Sequence, residues 1–318
     1  MITQTPIRFE SVFADELTKY IKYKRSLGMQ YDRPEYELVT FSKFLADNNV
    51  SEMTISKEIA EKWCCRRVDE GHKMWANRTG IYRQFAIYLN KNGYSAYIPP
   101  MPQRYITEYI PYIFTKEEIL NIFDAADKYD AQRLNSYQKI MPLLVRLLFS
   151  TGLRISEVAN LKYSDVDLSS GVLYIFDGKN GNDRIVPMHE SLTNLLREYD
   201  EKYNKNNTYF FETLRHTQIS TNACYKNFRK ILFASGIPHQ GRGKGPRLHD
   251  TRHTFAVHSL QYMIEQGLDI YVSLPYLSVY LGHKSITATE QYVRLTAEAY
   301  PELAEIISKY TGRVIPEV

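Results

Sequence analysis

The stretch MPLLVRLLFSTGLRISE, residues 141–157, decides the fold of the second half of this 318-residue chain. Its first part, MPLLVRLLF, is apolar almost throughout and predicts a buried helix. Gly152 ends that helix, because glycine adopts most readily the left-handed conformation that follows a helix. Arg154 then stands at the start of a new helix, in a tight turn that can hold its side chain rigidly. Glu157, three residues on, can orient the guanidinium.

A capping box opens the domain that contains this stretch. Thr115 occupies the cap position of a helix and Glu118 follows three residues later, which predicts a helix start at this point. Two strands are expected farther along, GVLYIF (171–176) and RIVPM (184–188), with an Asn-Gly turn between them that suits a hairpin. The remaining segments read as helices, so the sequence predicts a helical domain with one small antiparallel sheet.

The first hundred residues read as four helices packed into a compact bundle. Apolar residues recur at helical spacing in four segments, and the pattern stops at Gly28, Gly71 and Gly93. The next stretch, YSAYIPPMPQRYITEYIP, holds four prolines in 18 residues and predicts an extended linker, because proline cannot continue a helix or a sheet ladder. The fold class is therefore mainly α, and the expected parts are a four-helix domain over 1–96, a linker over 97–114, an α+β domain over 115–295 and a tail helix over 296–318.

The composition is that of a globular protein. Hydrophobic residues make up 44% of the chain and charged residues 24%, and no apolar run reaches the roughly 18 residues of a membrane span. The first residues lack a signal peptide, so we expect a cytoplasmic protein with no membrane partner. Three cysteines, an odd number without metal-type spacing, exclude a disulfide scaffold or a zinc finger.

Basic residues concentrate in two parts of a nearly neutral chain. The net charge is only +4, but seven lysines and arginines fall between Lys62 and Lys91, and seven more between Lys226 and Arg252. Two such clusters are typical of a protein that binds a polyanion, such as a nucleic acid, at two of its surfaces. Either cluster alone is also compatible with an ordinary solvated helix face.

The segment HDTRHTFAVHS, which begins at His249, admits three interpretations. His249 and His253 share a helix face and resemble part of a zinc-protease site, although a third ligand is unclear. His249 and Arg252, three residues apart, would instead place a proton acceptor beside a phosphate clamp. The third interpretation is a polar helix start without a chemical role. ATP or a dinucleotide cofactor is not expected, because the glycine-rich GRGKG has no strand before it and no helix directly after it.

Two more segments carry candidate residues. Lys179 lies at the tip of the predicted hairpin, where a lysine is usually a solvated turn residue but can also reach a substrate oxygen. The triplet Leu281-Gly-His283 is followed nine residues later by Tyr292 in a helical stretch. The two side chains can flank one pocket if the chain bends near Ser285. Taken alone, each of these residues is compatible with a structural role.

Taken in order, Arg154, Lys179, His249-x-x-Arg252, His283 and Tyr292 resemble the catalytic set of the tyrosine recombinase (phage integrase) family. The resemblance extends over most of 115–292, and the helical first hundred residues resemble that family's core-binding domain. The simple two-domain type is expected. The hairpin, GKNGNDR, departs from the family in having fewer basic residues and less glycine.

The resemblance implies phosphoryl transfer to a side-chain oxygen. Tyr292 would attack the scissile phosphate in line and form a 3′-phosphotyrosine, which keeps the bond energy so that rejoining needs no ATP. Arg154 and Arg252 would grip the non-bridging oxygens, where charge builds up in the pentavalent transition state. Two arginines and a lysine would replace metal ions, so neither a metal nor a cofactor is expected.

The same resemblance gives the remaining members their roles. His249 would accept or relay the proton of the nucleophile, and Lys179 would protonate the departing 5′ oxygen. His283 would donate a hydrogen bond to the phosphate. Glu157 is the supporting residue that orients its neighbouring arginine.

The implied partner is double-stranded DNA, bound as recombination sites by a homotetramer that holds two of them. The expected DNA-contacting residues are Arg66, Arg67, Lys73, Arg78, Arg83, Arg242, Lys244 and Arg247. The apolar stripe of the tail helix would dock onto a neighbouring protomer, and accessory DNA-bending or excision factors are a further expectation. The protein would work in a bacterial cytoplasm and would lie on the nucleoid when bound to DNA. Its reaction would be the integration or excision of a mobile element.

Two other functions fit the same residues. A type IB topoisomerase resembles the same catalytic set but acts as a monomer. A non-catalytic relative that only occupies DNA sites is the second alternative, and trapping a covalent DNA adduct would distinguish it from an enzyme.

Overall fold

The computed structural model describes residues 9–103, 110–129, 137–176, 183–203, 207–238, 241, 245–283, 285 and 287–300. The chain divides into two compact units, Met1–Tyr109 and Ile110–Val318. The boundary falls within the stretch that the sequence predicts as a linker. In agreement with the predicted fold class, the described residues are mainly helical with a small antiparallel sheet.

Residues 9–103 of the first unit contain four helices. They are α1 (Ala14–Ser26), α2 (Asp32–Asp47), α3 (Lys57–Cys64) and α4 (His72–Lys91). Aromatic side chains from all four fill the core, among them Tyr20, Phe41, Trp63 and Phe85. The sequence places the end of the third helix at Gly71, but α3 ends at Cys64 and Gly71 is instead the residue that precedes α4.

A short parallel strand pair, absent from the sequence prediction, closes the first unit. The strands β1 (Thr54–Ile55) and β2 (Ser95–Ala96) each contain two residues. Asn90, near the end of α4, fixes the second strand, because its side chain donates to Ala96 O and accepts from Ala96 N at 2.9 and 2.8 Å. Two-residue strands leave no alternation in a sequence by which they could be found.

The second unit contains eight helices within its described residues. They are α5 (Lys116–Asp127), α6 (Tyr137–Thr151), α7 (Ile155–Asn160), α8 (Glu190–Tyr203), α9 (Thr221–Ala234), α10 (Asp250–Glu265), α11 (Ile270–Leu281) and α12 (Thr287–Ala299). The capping box at α5 is confirmed: the Thr115 hydroxyl accepts from Glu118 N at 3.1 Å, and the Glu118 carboxylate accepts from Thr115 N at 2.8 Å.

Three antiparallel strands form a sheet within the described residues of the second unit. They are β3 (Val166–Asp167), β4 (Val172–Ile175) and β5 (Arg184–Pro187), in that order. The predicted strand pair is confirmed, and Leu173 faces Val186 in its register with both side chains buried. The sequence missed β3. The Asn-Gly turn lies outside the described residues.

Helix α10 connects the parts of the second unit that carry the candidate residues. It packs against α6, α11 and α12. Gly152, after α6, has the left-handed φ of +61° and allows the close approach, because a Cβ there would collide with the ring of Phe255 on α10. This packing brings the turn before α7, the start of α10, the end of α11 and the middle of α12 together.

None of the helices in the described part of the chain combines the length and the hydropathy that crossing a bilayer requires.

Candidate active site

Arg154 and Glu157 form an ion pair across the first turn of α7. Arg154 Nη1 donates to Glu157 Oε1 at 2.7 Å, and the other carboxylate oxygen accepts from Arg154 N at 2.9 Å. The pair is mostly buried, with side-chain exposures of 13% and 5%. Burial raises the pKa of Glu157, but hydrogen bonds from Arg184 and Arg154 outweigh it and bring that pKa to about 2. The carboxylate is therefore ionised and can hold the guanidinium as the sequence predicts.

Arg252, on the first turn of α10, is buried in the centre of the site with only 2% exposure. Its Nη1 donates to Gly152 O at 2.8 Å and its Nη2 donates to Leu281 O at 2.6 Å. Burial and the charge of Arg154 lower the pKa of Arg252 to about 10, which still leaves it charged at neutral pH. Among the described residues no carboxylate forms an ion pair with this buried cation, which is held by neutral carbonyls, so the site favours a negatively charged group.

His283 follows directly on the end of α11. Gly282 ends that helix in the left-handed conformation, with φ of +66°. The His283 ring lies between two partners: its Nε2 is 3.1 Å from Arg252 Nη2, and its Nδ1 is 2.8 Å from the hydroxyl of the buried Thr289. Burial and the neighbouring arginines lower the pKa of His283 to about 4, so the ring is neutral at pH 7.

Tyr292, on α12, is 99% buried and lies against two histidine rings. Its ring stacks on His283 with centroids 6.2 Å apart, and it meets His253 at 5.7 Å. Burial raises the pKa of Tyr292, while the positive charges of Arg252 and Arg154 act in the opposite direction. The arrangement thus keeps the phenol protonated before a substrate arrives and surrounds it with the groups that stabilise a phenolate.

His249 precedes α10 and is exposed, unlike Arg154, Arg252, His283 and Tyr292. Its ring meets the edge of His253 at 5.0 Å. His253 in turn contacts Tyr292, so one imidazole separates the exposed histidine from the tyrosine. After burial, the charge of His249 contributes to lowering the pKa of His253, and it is a smaller contribution to the lowered pKa of His283.

Several predicted residues lie outside the described residues. They are Lys179, Arg242 and Lys244. Arg247 is described: it is partly buried, and its backbone N–H donates to the Asp250 carboxylate at 2.8 Å.

The structure corrects one predicted DNA contact, Arg78 on α4. This side chain is 2% exposed and forms a bidentate ion pair with the buried Glu70, at 2.8 and 2.5 Å. It also donates to the backbone oxygens of Trp63 and Cys65. The charge of Arg78 is thus used inside the first unit. Composition alone gives no sign of this, because the acidic partner lies eight residues earlier, in the segment between α3 and α4.

The other predicted contacts of the first unit remain accessible. Arg66, Arg67 and Lys73 are exposed, and Arg83 is partly buried. Arg67 lies over the ring of Trp63, with its guanidinium carbon 5.0 Å from the ring centroid.

Three residues of the site were missed by the sequence analysis. Arg184, at the start of β5, binds the Glu157 carboxylate. His253 and Thr289 contact the Tyr292 ring and the His283 ring, as described above. The sequence signal for Arg184 was a basic residue at the start of an apolar strand, directly after the hairpin turn. His253 was considered only as a metal ligand, and within the described residues no three His, Cys, Asp or Glu side chains cluster to hold a metal ion.

Comparison with known proteins gives consistent matches. The phage integrase family matches residues 113–299. A Sinorhizobium fredii protein, y4rB, that carries the name integrase/recombinase is 32% identical over 92% of this chain and 96% of its own length. The tyrosine recombinase XerA of Pyrococcus furiosus is 31% identical over 63% of each chain.

Solved structures share the fold. The XerH site-specific recombinase in its post-cleavage complex with a difH substrate gives a TM-score of 0.60 at 21% identity, covering 92% of this chain and 84% of that one. A lambda integrase tetramer bound to a Holliday junction gives 0.62 at 19% identity, covering 90% and 78%.

Proposed function

The chain belongs to the phage integrase family, and from that premise we propose that its active site cleaves and rejoins DNA through a phosphotyrosine formed at Tyr292. The enzyme is a tyrosine site-specific recombinase. The observation that carries the assignment of the site is convergence. Arg154, Arg252, His283 and Tyr292 come from four separate segments. Arg252 contacts His283, the His283 ring stacks on Tyr292, and the positive charge of Arg154 acts on the pKa of both Arg252 and Tyr292.

In the first step, the Tyr292 oxygen attacks the scissile phosphorus. The bond from phosphorus to the 5′ oxygen breaks, and the 3′ side of the strand remains on the tyrosine. The phenolic proton passes to the histidine pair, with His249 at the exposed end delivering it to solvent. Lys179 supplies the proton that the departing 5′ oxygen needs. Attack by another strand's 5′ hydroxyl on the phosphotyrosine reverses the sequence and rejoins the DNA.

The arginines supply most of the electrostatic stabilisation. The phosphodiester gains a second negative charge in the pentavalent transition state, and Arg154 and Arg252 are held beside Tyr292 to neutralise it. Because both side chains are anchored before DNA binds, they need no reorganisation at the moment of reaction. Removing one such donor typically costs about 10²–10³-fold in rate.

We further propose that the substrate is double-stranded DNA carrying recombination sites. The exposed Arg66, Arg67 and Lys73 of the first unit would contact the backbone, and so would Arg83 and the second basic cluster with Arg242, Lys244 and Arg247. Such contacts fix position on the duplex, whereas base contacts set the sequence. The parts proposed from the sequence keep their roles: a clamp domain over 1–96, a linker over 97–114 and the catalytic domain over 115–295.

The assembly we propose is a homotetramer on two sites, as in the lambda integrase tetramer. The tail over 296–318, whose first residues are the end of α12, would link the protomers, with accessory DNA-bending or excision factors as additional partners. An exposed apolar groove of about 630 Å³ beside α11 supports a docking surface of this kind. Ile185, Tyr276 and Val279 line it and are 61%, 70% and 74% exposed. We propose that the protein works on the nucleoid, in a bacterial cytoplasm, and that its reaction integrates or excises a mobile element.

The experiment that tests this function uses recombination itself. A binding site is selected from a randomised duplex library, and two copies are placed in one plasmid. The wild-type protein should delete the intervening DNA, and Tyr292→Phe should bind the site without deleting it. Tyr280→Phe, a change to a partly buried tyrosine of the same unit, is the matched control and should retain recombination. Relaxation of a plasmid with a single site, without deletion, would favour a topoisomerase instead.

A further inference from the structure

Arg184 joins two parts of the active site that come from different helices. Its Nη1 and Nη2 donate to the two Glu157 oxygens at 3.1 and 2.8 Å, so this carboxylate is shared between Arg184 and Arg154. Its Nε donates to Tyr280 O at 2.9 Å, in the last turn of α11. The side chain is 7% exposed. One residue therefore ties β5 to both α7 and α11.

Arg252 closes the same set of contacts into a ring. It binds the next carbonyl of α11, that of Leu281, and also the carbonyl of Gly152, two residues before Arg154. Two arginines thus bind consecutive carbonyls at the end of α11, which have no partner within the helix. The ring runs from Arg154 through Glu157, Arg184, the end of α11 and Arg252 back to the turn before α7.

Arg184 packs closely against Gly282, where little room remains for a side chain. A Cβ on Gly282 would lie 3.1 Å from Arg184 Nη1 and 3.3 Å from its Cδ, and the glycine itself has φ of +66°. The guanidinium therefore packs directly on the turn from which His283 extends. Moving Arg184 would free both the carboxylate that holds Arg154 and the turn that sets the His283 ring.

The net charge of the ring is equal and opposite to the charge of the transition state. Three guanidiniums and one carboxylate leave a net charge of +2, and the transition state of phosphoryl transfer at a phosphodiester carries two negative charges. Arg184 forms two hydrogen bonds with Glu157, whereas the Arg154 side chain forms one. Without Arg184, the carboxylate would be neutralised by Arg154 alone, and the net charge would fall to +1.

We propose that Arg184 is a positioning residue of the cleavage reaction, which neutralises Glu157 so that Arg154 stays available to the scissile phosphate and which fixes the turn that carries His283. The proposal deepens the proposed function and rests on it. Arg184 touches no reacting atom in this scheme. Its effect is transmitted through the side chains of Arg154 and His283.

The test is a double-mutant comparison in single-turnover cleavage of a nicked duplex that carries the selected site. Arg184→Gln should lower the cleavage rate by about 10²-fold and leave DNA affinity within about threefold, because an aligned phosphate donor is worth about that much. Arg184→Gln/Glu157→Gln removes one positive and one negative charge together. It restores the net charge of +2, so its rate should exceed that of Arg184→Gln by about tenfold. Arg197→Gln is the matched control, since Arg197 also donates to a backbone oxygen, that of Leu168, away from the site.

Two further measurements separate positioning from mere support of the fold. With a methylphosphonate at the scissile position, one phosphate charge is gone, so the defect of Arg184→Gln relative to wild type should shrink at least tenfold. Arg184→Lys keeps the positive charge beside Glu157 and should retain the rate within about tenfold. If urea unfolding shows that Arg184→Gln does not fold, Arg184→Lys becomes the test variant. Losing the two-pronged contact with Glu157 should lower its rate by about three- to tenfold, and a rate equal to that of Arg197→Gln would overturn the proposal.

Clear outcomes overturn the proposal. Arg184→Gln cleaving as fast as Arg197→Gln would show that Arg184 does not act on the reaction. A double variant as slow as Arg184→Gln, or an undiminished defect on methylphosphonate DNA, would show that neutralising Glu157 is not its role. Absence of cleavage by the wild-type protein would instead refute the proposed function, and this inference with it.

Discussion

Replacing Arg78 by methionine should destabilise the first unit strongly, because Arg78 is a structural residue. The change removes the cation from a carboxylate, Glu70, whose side chain is only 7% exposed. Arg78 is the main cause that lowers the pKa of Glu70, and it also binds two backbone carbonyls at the end of α3. Leaving a buried charge unpaired in this way costs about 3–5 kcal/mol.

Tryptophan fluorescence makes this loss measurable in the full chain. Both tryptophans of the protein, Trp63 and Trp75, lie in the first unit, so their emission during urea unfolding reports on that unit. With a slope of about 1.5 kcal/mol per molar urea, a loss of 3–5 kcal/mol lowers the unfolding midpoint by roughly 2–3 M. Lys73→Gln, at an exposed position of the same helix, is the control and should shift the midpoint by less than about 0.5 M.

A double variant removes both charges and separates structure from DNA contact. Arg78→Met/Glu70→Leu should recover much of the lost stability, because no buried charge is left unpaired. Its DNA affinity should then keep the wild-type salt dependence, whereas Lys73→Gln should flatten the slope of log affinity against log salt by about 0.9. A variant Arg78→Met as stable as Lys73→Gln, or a double variant with a flattened slope, would refute the structural role of Arg78.

Three further predictions concern DNA contact, assembly and pH. The triple variant Arg66→Gln/Arg67→Gln/Lys73→Gln should flatten the salt slope by about 2.7, and an unchanged slope would show that this face does not touch DNA. Deleting Glu302–Val318 should leave single-site binding intact and abolish the pairing of two sites; loss of solubility or of single-site binding would assign the tail to its own domain. The DNA-free protein should lose stability as the pH falls from about 6.5 toward 4, because burial lowers the folded-state pKa of His253 to about 3, so the unfolded chain binds the extra proton. The slope, measured by urea unfolding, should approach roughly 1.4 kcal/mol per pH unit for this residue, and His253→Phe should reduce it whereas the exposed His189→Gln should not.

The long helices and the hairpin strands were predictable because each carries a local signal. The apolar run of α6, the Thr115 capping box and the alternation in β4 are properties of a few consecutive residues. The two-residue strands β1 and β2 were not predictable, since they form only because a side chain of α4 holds them in place. The end of α3 was misplaced for a related reason, as the turn after it is fixed by Arg78 and Glu70 from farther along the chain.

In the active site, too, local features could be predicted from the sequence and contacts between distant residues could not. The order and spacing of its motifs could be read from the sequence, but the partners of each side chain could not. Nothing local marks Arg184 as the second ligand of Glu157, because 27 residues separate them. Arg78 and Arg67 are both arginines of one basic cluster, yet one is buried against a carboxylate and the other exposed over a tryptophan ring. Burial is a property of the packed chain, and it decides which charges reach DNA.

The measurement that tests the central claim most directly is the identity of the residue that becomes linked to DNA. A nicked duplex carrying the selected site traps the covalent intermediate, because the short fragment released by cleavage diffuses away before it can be rejoined. Proteolysis of the adduct and mass spectrometry of the nucleotide-bearing peptide then locate the bond. The account predicts a 3′-phosphate ester on Tyr292. An adduct on Tyr280 or Tyr300, or a link to the 5′ end of the strand, would contradict it.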